Sequence, residues 1–549
     1  MWLVGNSLKI QSAHKYFLKI MRNSFSLSPI FIVAIIFSLP AIFIFLSLAQ
    51  DFSSNWVHLV DTVLAEYLLN SLKLFVGVSI GVFILGVSTA WIISTCEFRG
   101  KKFFSWALIL PFAIPPYIMS YAFTGLFDSY GTANDLARFI FQLDSETVLF
   151  PSVRNITGAI IVFSFTLYPY VFLISQTSFL NQSRDIFDVS RTLGLSRFKT
   201  FFKVALPIAR PSIVASLMLV AMEVLSDFGA VEHFAIPTFT SGIFRTWFGL
   251  NDLTTAKQLA SILFMIFLFL ILIEKYSRRK ILYTSNSTSN RELVPTPLKG
   301  HKEFFAIIIC SLPIFIGFFI PFVQLVYWTI FYETSFFSSD FINLITNSLS
   351  LAAISSIICL SIATIINYII RIEKNTFLSF INKIITSGYG IPGIVLALGV
   401  LNFFLMLDNI SNLILTGSLI GLIFAYCVKF YAVTNSSISS GFKKISINLD
   451  NVASSLGSPK RRILKSIHLP LLKSSFLIGT LVFMIEVIKE LPATLILRPF
   501  NFNTLSVSAY NYASDERMIE AAAPSIGIVI ACLIPIIILI KLIGKDEIE

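Results

Sequence analysis

The chain runs to 549 residues, of which 56% are apolar and only 13% charged, and its mean hydropathy of +0.82 lies far outside the range of water-soluble globular domains. Its 41 Lys and Arg against 30 Asp and Glu leave a net charge of +11, which in a soluble protein would point to nucleic acid. Here the basic residues sit between long apolar runs, so the partner they imply is the lipid bilayer, and no nucleic acid is called for.

A membrane span needs about 20 apolar residues, where a soluble core helix rarely needs more than about 14. Twelve runs meet that demand: 29–50, 69–94, 104–126, 156–179, 208–231 and 257–274, then 304–331, 346–370, 385–406, 413–434, 472–491 and 524–543. The first, from Pro29 to Ala49, exceeds the roughly 7–15 residues of a signal-peptide core and lacks a small-residue cleavage site, so it reads as a retained helix. Lys9, Lys15, Lys19 and Arg22 precede it; Arg99, Lys101 and Lys102 follow the second run; Arg278, Arg279, Lys280, Lys299 and Lys302 separate the sixth from the seventh. Loops 51–68, 332–345 and 407–412 contain no Lys or Arg. The positive-inside rule therefore predicts both termini in the cytoplasm, as an even number of spans requires. Cys96, Cys310, Cys359, Cys427 and Cys532 form no CxxC pair, and His14, His58, His233, His301 and His468 are scattered; packing and surface positions are the reading for both sets.

The chain repeats itself. Asp188-Val189-Ser190-Arg191-Thr192-Leu193-Gly194, running on to Leu206-Pro207, returns as Asn451-Val452-Ala453-Ser454-Ser455-Leu456-Gly457, running on to Leu469-Pro470. Gly to Pro is 13 residues in both copies and the offset is 263, which also carries Glu223 onto Glu486, Asp227 onto Glu490 and Phe239 onto Phe502. Upstream, Asn70-Ser71-Leu72 matches Asn347-Ser348-Leu349 and Ile114-Pro115 matches Ile391-Pro392 at an offset of 277, so the first half has an insertion of 14 residues in its loop 127–155. The repeat is parallel. It divides the chain into an N-terminal segment 1–28, a first six-helix unit 29–275, a linker 276–303 and a second six-helix unit 304–549. Each repeated segment reads as a helix, a glycine turn at Gly194 or Gly457, and a basic stretch along the membrane face that ends where Pro207 or Pro470 opens the next span.

These two segments, 188–207 and 451–470, resemble the EAA loop of ABC importer permeases: Glu-Ala-Ala, three residues, Gly, nine residues, Ile, one residue, Leu-Pro. Asp188, Asn451 and Val204 depart from that pattern, and an acid at Asn451 cannot be essential. The resemblance implies an all-α integral membrane fold of two tandem six-helix, MetI-like units. In it Asp188, Gly194, Leu206, Pro207, Asn451, Gly457, Leu469 and Pro470 would dock two ATPase subunits, which bind the ATP-Mg. The chain has no Gly-x-x-x-x-Gly-Lys-Ser/Thr phosphate loop of its own, no cofactor and no covalent chemistry. Further stretches, among them Leu110-Pro111-Phe112-Ala113-Ile114-Pro115-Pro116-Tyr117, Tyr168-Pro169-Tyr170, Ser226-Asp227-Phe228-Gly229, Lys489-Glu490-Leu491-Pro492-Ala493-Thr494 and Ala513-Ser514-Asp515-Glu516-Arg517, resemble the fused ferric-iron permeases. That implies Fe(III) as cargo, an extracytoplasmic iron-binding protein as partner and a bacterial inner-membrane location. Related permeases for thiamine, phosphonates or other small solutes share parts of these stretches.

Ionisable residues inside spans cost about 2.5–3.5 kcal/mol each at mid-bilayer and are functional candidates for that reason. Glu223 and Asp227, and Glu486 and Glu490, are each four apart, with Lys489 three beyond Glu486, spacings that put each set on one helix face. Four carboxylates converging in the outer half of the membrane would offer Fe(III) hard oxygen ligands, which makes Glu223, Asp227, Glu486 and Glu490 a transient metal set. The alternative is a neutralising Glu486–Lys489 pair, with Asp227 and Glu490 at helix ends near Gly229 and Pro492. A secondary carrier using the acids as ion sites is the competing function, and a channel is disfavoured by the lack of a filter loop.

Overall fold

The computed structural model describes residues 29–144, 146–182, 184–278, 295–332, 338–411 and 414–546; the N-terminal segment and most of the linker lie outside the described residues. Lipid offers no hydrogen bonds to a backbone, so apolar runs of this length satisfy their N–H and C=O groups internally as helices. Among the described residues ten helices are long and apolar enough to span a membrane, and they fall at ten of the twelve expected places: Pro29–Ala49, Leu64–Thr95, Ile156–Leu180, Arg197–Ser226, Leu253–Ile273, His301–Phe331, Ser339–Glu373, Gly393–Ser411, Leu419–Lys444 and Ala522–Leu542.

Spans three and eleven are bent instead of straight. Lys101–Ala113 and Pro116–Phe141 meet at 89°, and Lys460–Leu471 and Lys473–Lys489 meet at 70°. The first break falls at Ile114-Pro115, because a residue before proline is pushed out of the helical region; Ile114 is extended (ψ 111). Pro169, by contrast, sits inside an unbroken span four. The basic stretch after Gly194 is no separate helix along the membrane face. It winds through a π-helical turn, Phe201–Ala205, straight into span five, and the short helix is the one before the glycine, Arg184–Thr192. The second copy has the same π-helical turn at Leu464–His468 but breaks at Leu472, so Pro470 opens only a three-residue turn.

Span two packs along span four and both lean on span five; spans eight, ten and eleven repeat that triad. The first triad is held close by glycines. A Cβ on Gly86 would lie 2.7 Å from Val171 Cβ and 3.0 Å from the Phe172 nitrogen, and one on Gly77 2.5 Å from Ile160. Gly86→Leu is expected to cost about 1–3 kcal/mol or more by overpacking, seen as a lower melting temperature in detergent.

The two halves interlock. Span one packs on the second half, with Phe37 edge-on to Phe424 and Tyr431 at centroid distances of 6.0 and 5.9 Å, and Gly399 leaves room for the Pro40 carbonyl. Span seven packs on the first half, where Trp328 covers Gly125 and Gly317 sits against the Phe165 carbonyl. Span six lies on span nine, and span twelve reaches Leu110–Ala113. Within the second arm of span three, the helix Pro116–Phe127 is followed by a separate amphipathic helix, Thr132–Phe141, which lies in the stretch 127–155 where the insertion is expected.

Candidate functional site between the halves

Span five ends at Ser226 and span eleven at Lys489, so Asp227 and Glu490 lie one residue past their helices and do not share a face with Glu223 and Glu486. Each caps the short helix that follows. Asp227 Oδ1 accepts from the Ala230 and Val231 N–H groups (2.9 and 3.3 Å), and Glu490 Oε1 accepts from the Ala493 N–H (3.2 Å), at the same offset of 263. Their carbonyls are held in parallel fashion: Thr240 Oγ1 donates to Asp227 O (2.6 Å) and Ser506 Oγ to Glu490 O (3.0 Å). Thr238 and Thr504 then cap Phe239–Phe248 and Leu505–Ser514. Asn70 Nδ2 donates to Pro237 O (3.1 Å) and Asn347 Nδ2 to Asn503 O (3.0 Å). These pairs put the offset at 266 from Pro237 onward, so Phe239 corresponds to Leu505 and not to Phe502. The second half therefore has three more residues than the first between Glu490 and Thr504.

All four acids line one cavity of about 90 Å3 between the halves, together with Lys429 and Lys489. Lys429 Nζ lies 2.6 Å from Glu490 Oε2, both side chains well buried. Lys489 Nζ is 3.9 Å from Glu486 Oε1 and 3.7 Å from the centre of the Phe112 ring. Tyr389 Oη donates to Glu223 Oε1 (3.3 Å). Four carboxylates and two ammonium groups leave a formal charge of −2 if all are ionised. Among the described residues no three Asp, Glu, His or Cys side chains are gathered closely enough to hold a metal ion. The four acids thus share a cavity without forming a ligand shell, because Lys429, Lys489, Tyr389 and backbone N–H groups engage their oxygens.

Lys429 was missed in reading the sequence, although its signal was there: a lone cation in the middle of the run 413–434. Its counterpart at offset 263 is Thr166, which also lines the cavity but turns its hydroxyl back to Val162 O (2.7 Å). The pseudo-symmetric cavity therefore carries an asymmetric charge.

The two repeated segments share their backbone. Gly194 (φ +73) and Gly457 (φ +76) are left-handed with open space around a built Cβ, so conformation alone asks for glycine there. Leu195 N bonds Ser190 O and Ser458 N bonds Ala453 O, at 3.1 and 3.0 Å. Asp188 lies in Arg184–Thr192, and Asn451 is exposed in Ile447–Ser455. Leu206 and Pro207 open span five, while Leu469 and Pro470 form the turn before the bend.

What differs is how each segment is anchored. The first rests on an aromatic cluster: Trp91 meets Phe179, Phe187 and Phe201 at 5.3, 6.0 and 5.0 Å. In the second, Tyr368, Phe442 and Asp450 stand in place of Trp91, Phe179 and Phe187. Arg371 Nε donates to Asp450 Oδ2 (2.6 Å) and its other nitrogens to the Phe442 and Ile445 carbonyls (2.6 and 2.9 Å). His468 Nε2 lies 2.7 Å from Asp450 Oδ1. His468 is fully buried, against the surface position expected of it.

At the end of the molecule away from these segments, Arg154 of the first half meets Glu516 of the second at 2.9 Å, with Asp128 3.6 Å away. The guanidinium holds the Glu516 carboxyl below its ordinary range, and burial, reinforced by Arg154, pushes His233 down to about 3, so that this imidazole is neutral. These groups, apart from Asp128, line a second cavity of about 240 Å3 with Tyr121, whose ring lies 5.8 Å from Tyr117 in the wall of the acid cavity. Two cavities thus stand in line between the halves.

Comparison with known proteins gives this arrangement a context. Residues 82–276 match the family described as "Binding-protein-dependent transport system inner membrane component". The Fe(3+)-transport system permease protein FbpB 2 of Haemophilus influenzae is 25% identical over 482 residues, 87% of this chain and 90% of the relative. The molybdate/tungstate permease WtpB of Pyrococcus furiosus is 27% identical over 42% of this chain and 85% of its own length, and the sulfate permease CysT of Escherichia coli 28% over 37% and 71%. With a helical multi-pass fold, a family match over residues 82–276 and a similar relative across nearly its whole length, this chain is similar to the binding-protein-dependent transport permeases, whose members named here are transport subunits.

Proposed function

We propose that the chain is the membrane permease of a bacterial importer for ferric iron, and the cavity shared by Glu223, Asp227, Glu486 and Glu490 is the observation that carries this reading. Its four carboxyl groups against two ammonium groups offer hard oxygen donors that suit a small, highly charged cation and disfavour the oxyanions named for WtpB and CysT. The full-length similarity to the Fe(3+) relative supports the same cargo.

In this reading the face bearing Gly194 and Gly457 is cytoplasmic, as are both termini, and the units 29–275 and 304–549 each present one turn to an ATPase subunit, two in all, on which ATP-Mg is bound and hydrolysed. An extracytoplasmic iron-binding protein docks over the Arg154–Glu516 end. Cargo passes the outer cavity to the acid cavity, where it displaces the ammonium groups of Lys429 and Lys489 from Glu490 and Glu486. The lysines act as internal counter-ions that keep the carboxylates ionised in the absence of cargo.

ATP-dependent uptake of radiolabelled Fe(III) into proteoliposomes holding the chain, its ATPase and its binding protein tests this. Uptake that needs all three and ignores thiamine, phosphonate, molybdate and sulfate is expected; uptake by the chain alone would make it a secondary carrier. Glu223→Gln with Glu486→Gln should cut uptake at least tenfold while the complex still assembles. Normal uptake by that double variant would remove the acids from the pathway.

A further inference from the structure

A groove of about 1170 Å3 opens where span two, the stretch after Gly194 and the residues leading into span seven meet. Its floor is one face of span two: Phe83, Ile84, Val87, Trp91 and Ile92 follow the spacing of a single helix face, and Ile84 is 59% exposed. Phe198 and Phe202, 74% and 50% exposed, form the facing wall. Arg197, Lys299 and Lys302 line it too, and no acidic residue is among its described lining residues. Two acids adjoining the lining residues in sequence have other partners: Glu97 pairs with Lys101 (3.2 Å), and Glu303 Oε1 accepts from the Arg99 N–H (3.0 Å). The basic segment is fixed in place by a short parallel bridge, Cys96–Glu97 with Thr296–Pro297, and by Leu298 N donating to Glu97 O (2.8 Å).

We propose that this groove binds one anionic phospholipid, an acyl chain lying along Phe83–Ile92 and the phosphate held by Arg197, Lys299 and Lys302. The dimensions fit. The ten residues from Phe83 to Ile92 span nine helical steps, about 14 Å, and one leaflet of a hydrocarbon core about 30 Å thick is close to 15 Å deep. The apolar floor therefore spans one leaflet, and the three cations stand where its headgroups lie. A free phosphate would leave that floor uncovered, which selects the lipid as occupant. The second half does not repeat the site. There Tyr368 Oη donates to Lys460 O (2.5 Å) and Lys460, the counterpart of Arg197, pairs with Glu373 (3.3 Å).

The test is native mass spectrometry of the full chain, purified in detergent and equilibrated with equal phosphatidylglycerol and phosphatidylcholine. One retained phosphatidylglycerol per chain is expected. Retention should fall at least fivefold in Lys299→Gln/Lys302→Gln and in Ile84→Trp, which covers the exposed floor, and stay unchanged in Arg461→Gln/Lys465→Gln of the second segment. Equal retention of both lipids, or retention indifferent to the lysine pair, would overturn the proposal. So would displacement by excess inorganic phosphate with Ile84→Trp without effect, which would mark an anion site and not a lipid site. Should Ile84→Trp fail to fold, by its melting curve, the lysine pair decides.

Discussion

Lys429→Met is expected to destabilise the chain by about 3–5 kcal/mol and to abolish uptake, because it strips the partner from Glu490, whose side chain is 7% exposed. The N–H of Ala493 would remain as a donor to that carboxylate, yet one neutral dipole does not offset a buried unpaired charge. Adding Glu490→Gln to the same chain should restore most of the melting temperature, since the amide can still accept from Ala493 and no net charge is left without a partner. Uptake should stay lost. A single variant as stable as the parent would show that the ion pair is not desolvated in the membrane; a double variant that transports would end the role of Lys429 as counter-ion.

The second large effect concerns the anchors of the two glycine turns. Asp450→Ala leaves Arg371 and His468 without their shared carboxylate and is expected to cost about 3 kcal/mol. The expected readout is a several-fold loss of cargo-stimulated ATP hydrolysis with basal hydrolysis kept, because the second segment loosens from span eight while the first stays on its aromatic seat. Phe187→Ala at the equivalent place in the first half removes packing without stranding a charge, so its effect should be smaller. Equal loss from both would show that the chemical difference between the anchors has no mechanical meaning.

Much of the fold was written locally. Apolar runs long enough to cross lipid identify the spans, and Ile114-Pro115 and Asn70 announced the repeat whose partners the structure supplies. The acids at 223, 227, 486 and 490 were legible as a set, because a charge inside an apolar run needs a reason. Their helix assignment was not: whether Asp227 extends span five or caps the next helix depends on a bend that 3.6-residue periodicity cannot register. The correspondence of Phe239 to Leu505 was hidden by a three-residue gain that leaves no mark in composition. Asp450 escaped notice because it stands one place before Asn451, where the family pattern sets its acid, and its contacts come from span eight, about 80 residues earlier. The crossing of spans one and seven onto opposite halves follows from which apolar surfaces fit, and every lipid-facing helix is apolar.

That crossing has a consequence for how the protein is made. Pro29–Ala49 enters the bilayer first, yet Phe37 finds Phe424 and Tyr431 only after spans nine and ten emerge, close to 390 residues later. At about 5–20 residues per second of synthesis, that is a wait of roughly 20–80 s with its contact face held only by lipid. Joining both halves on one ribosome's product keeps the late-arriving partner tethered to the helix that waits for it, so the pairing is settled by the order of translation and not by a search through the membrane.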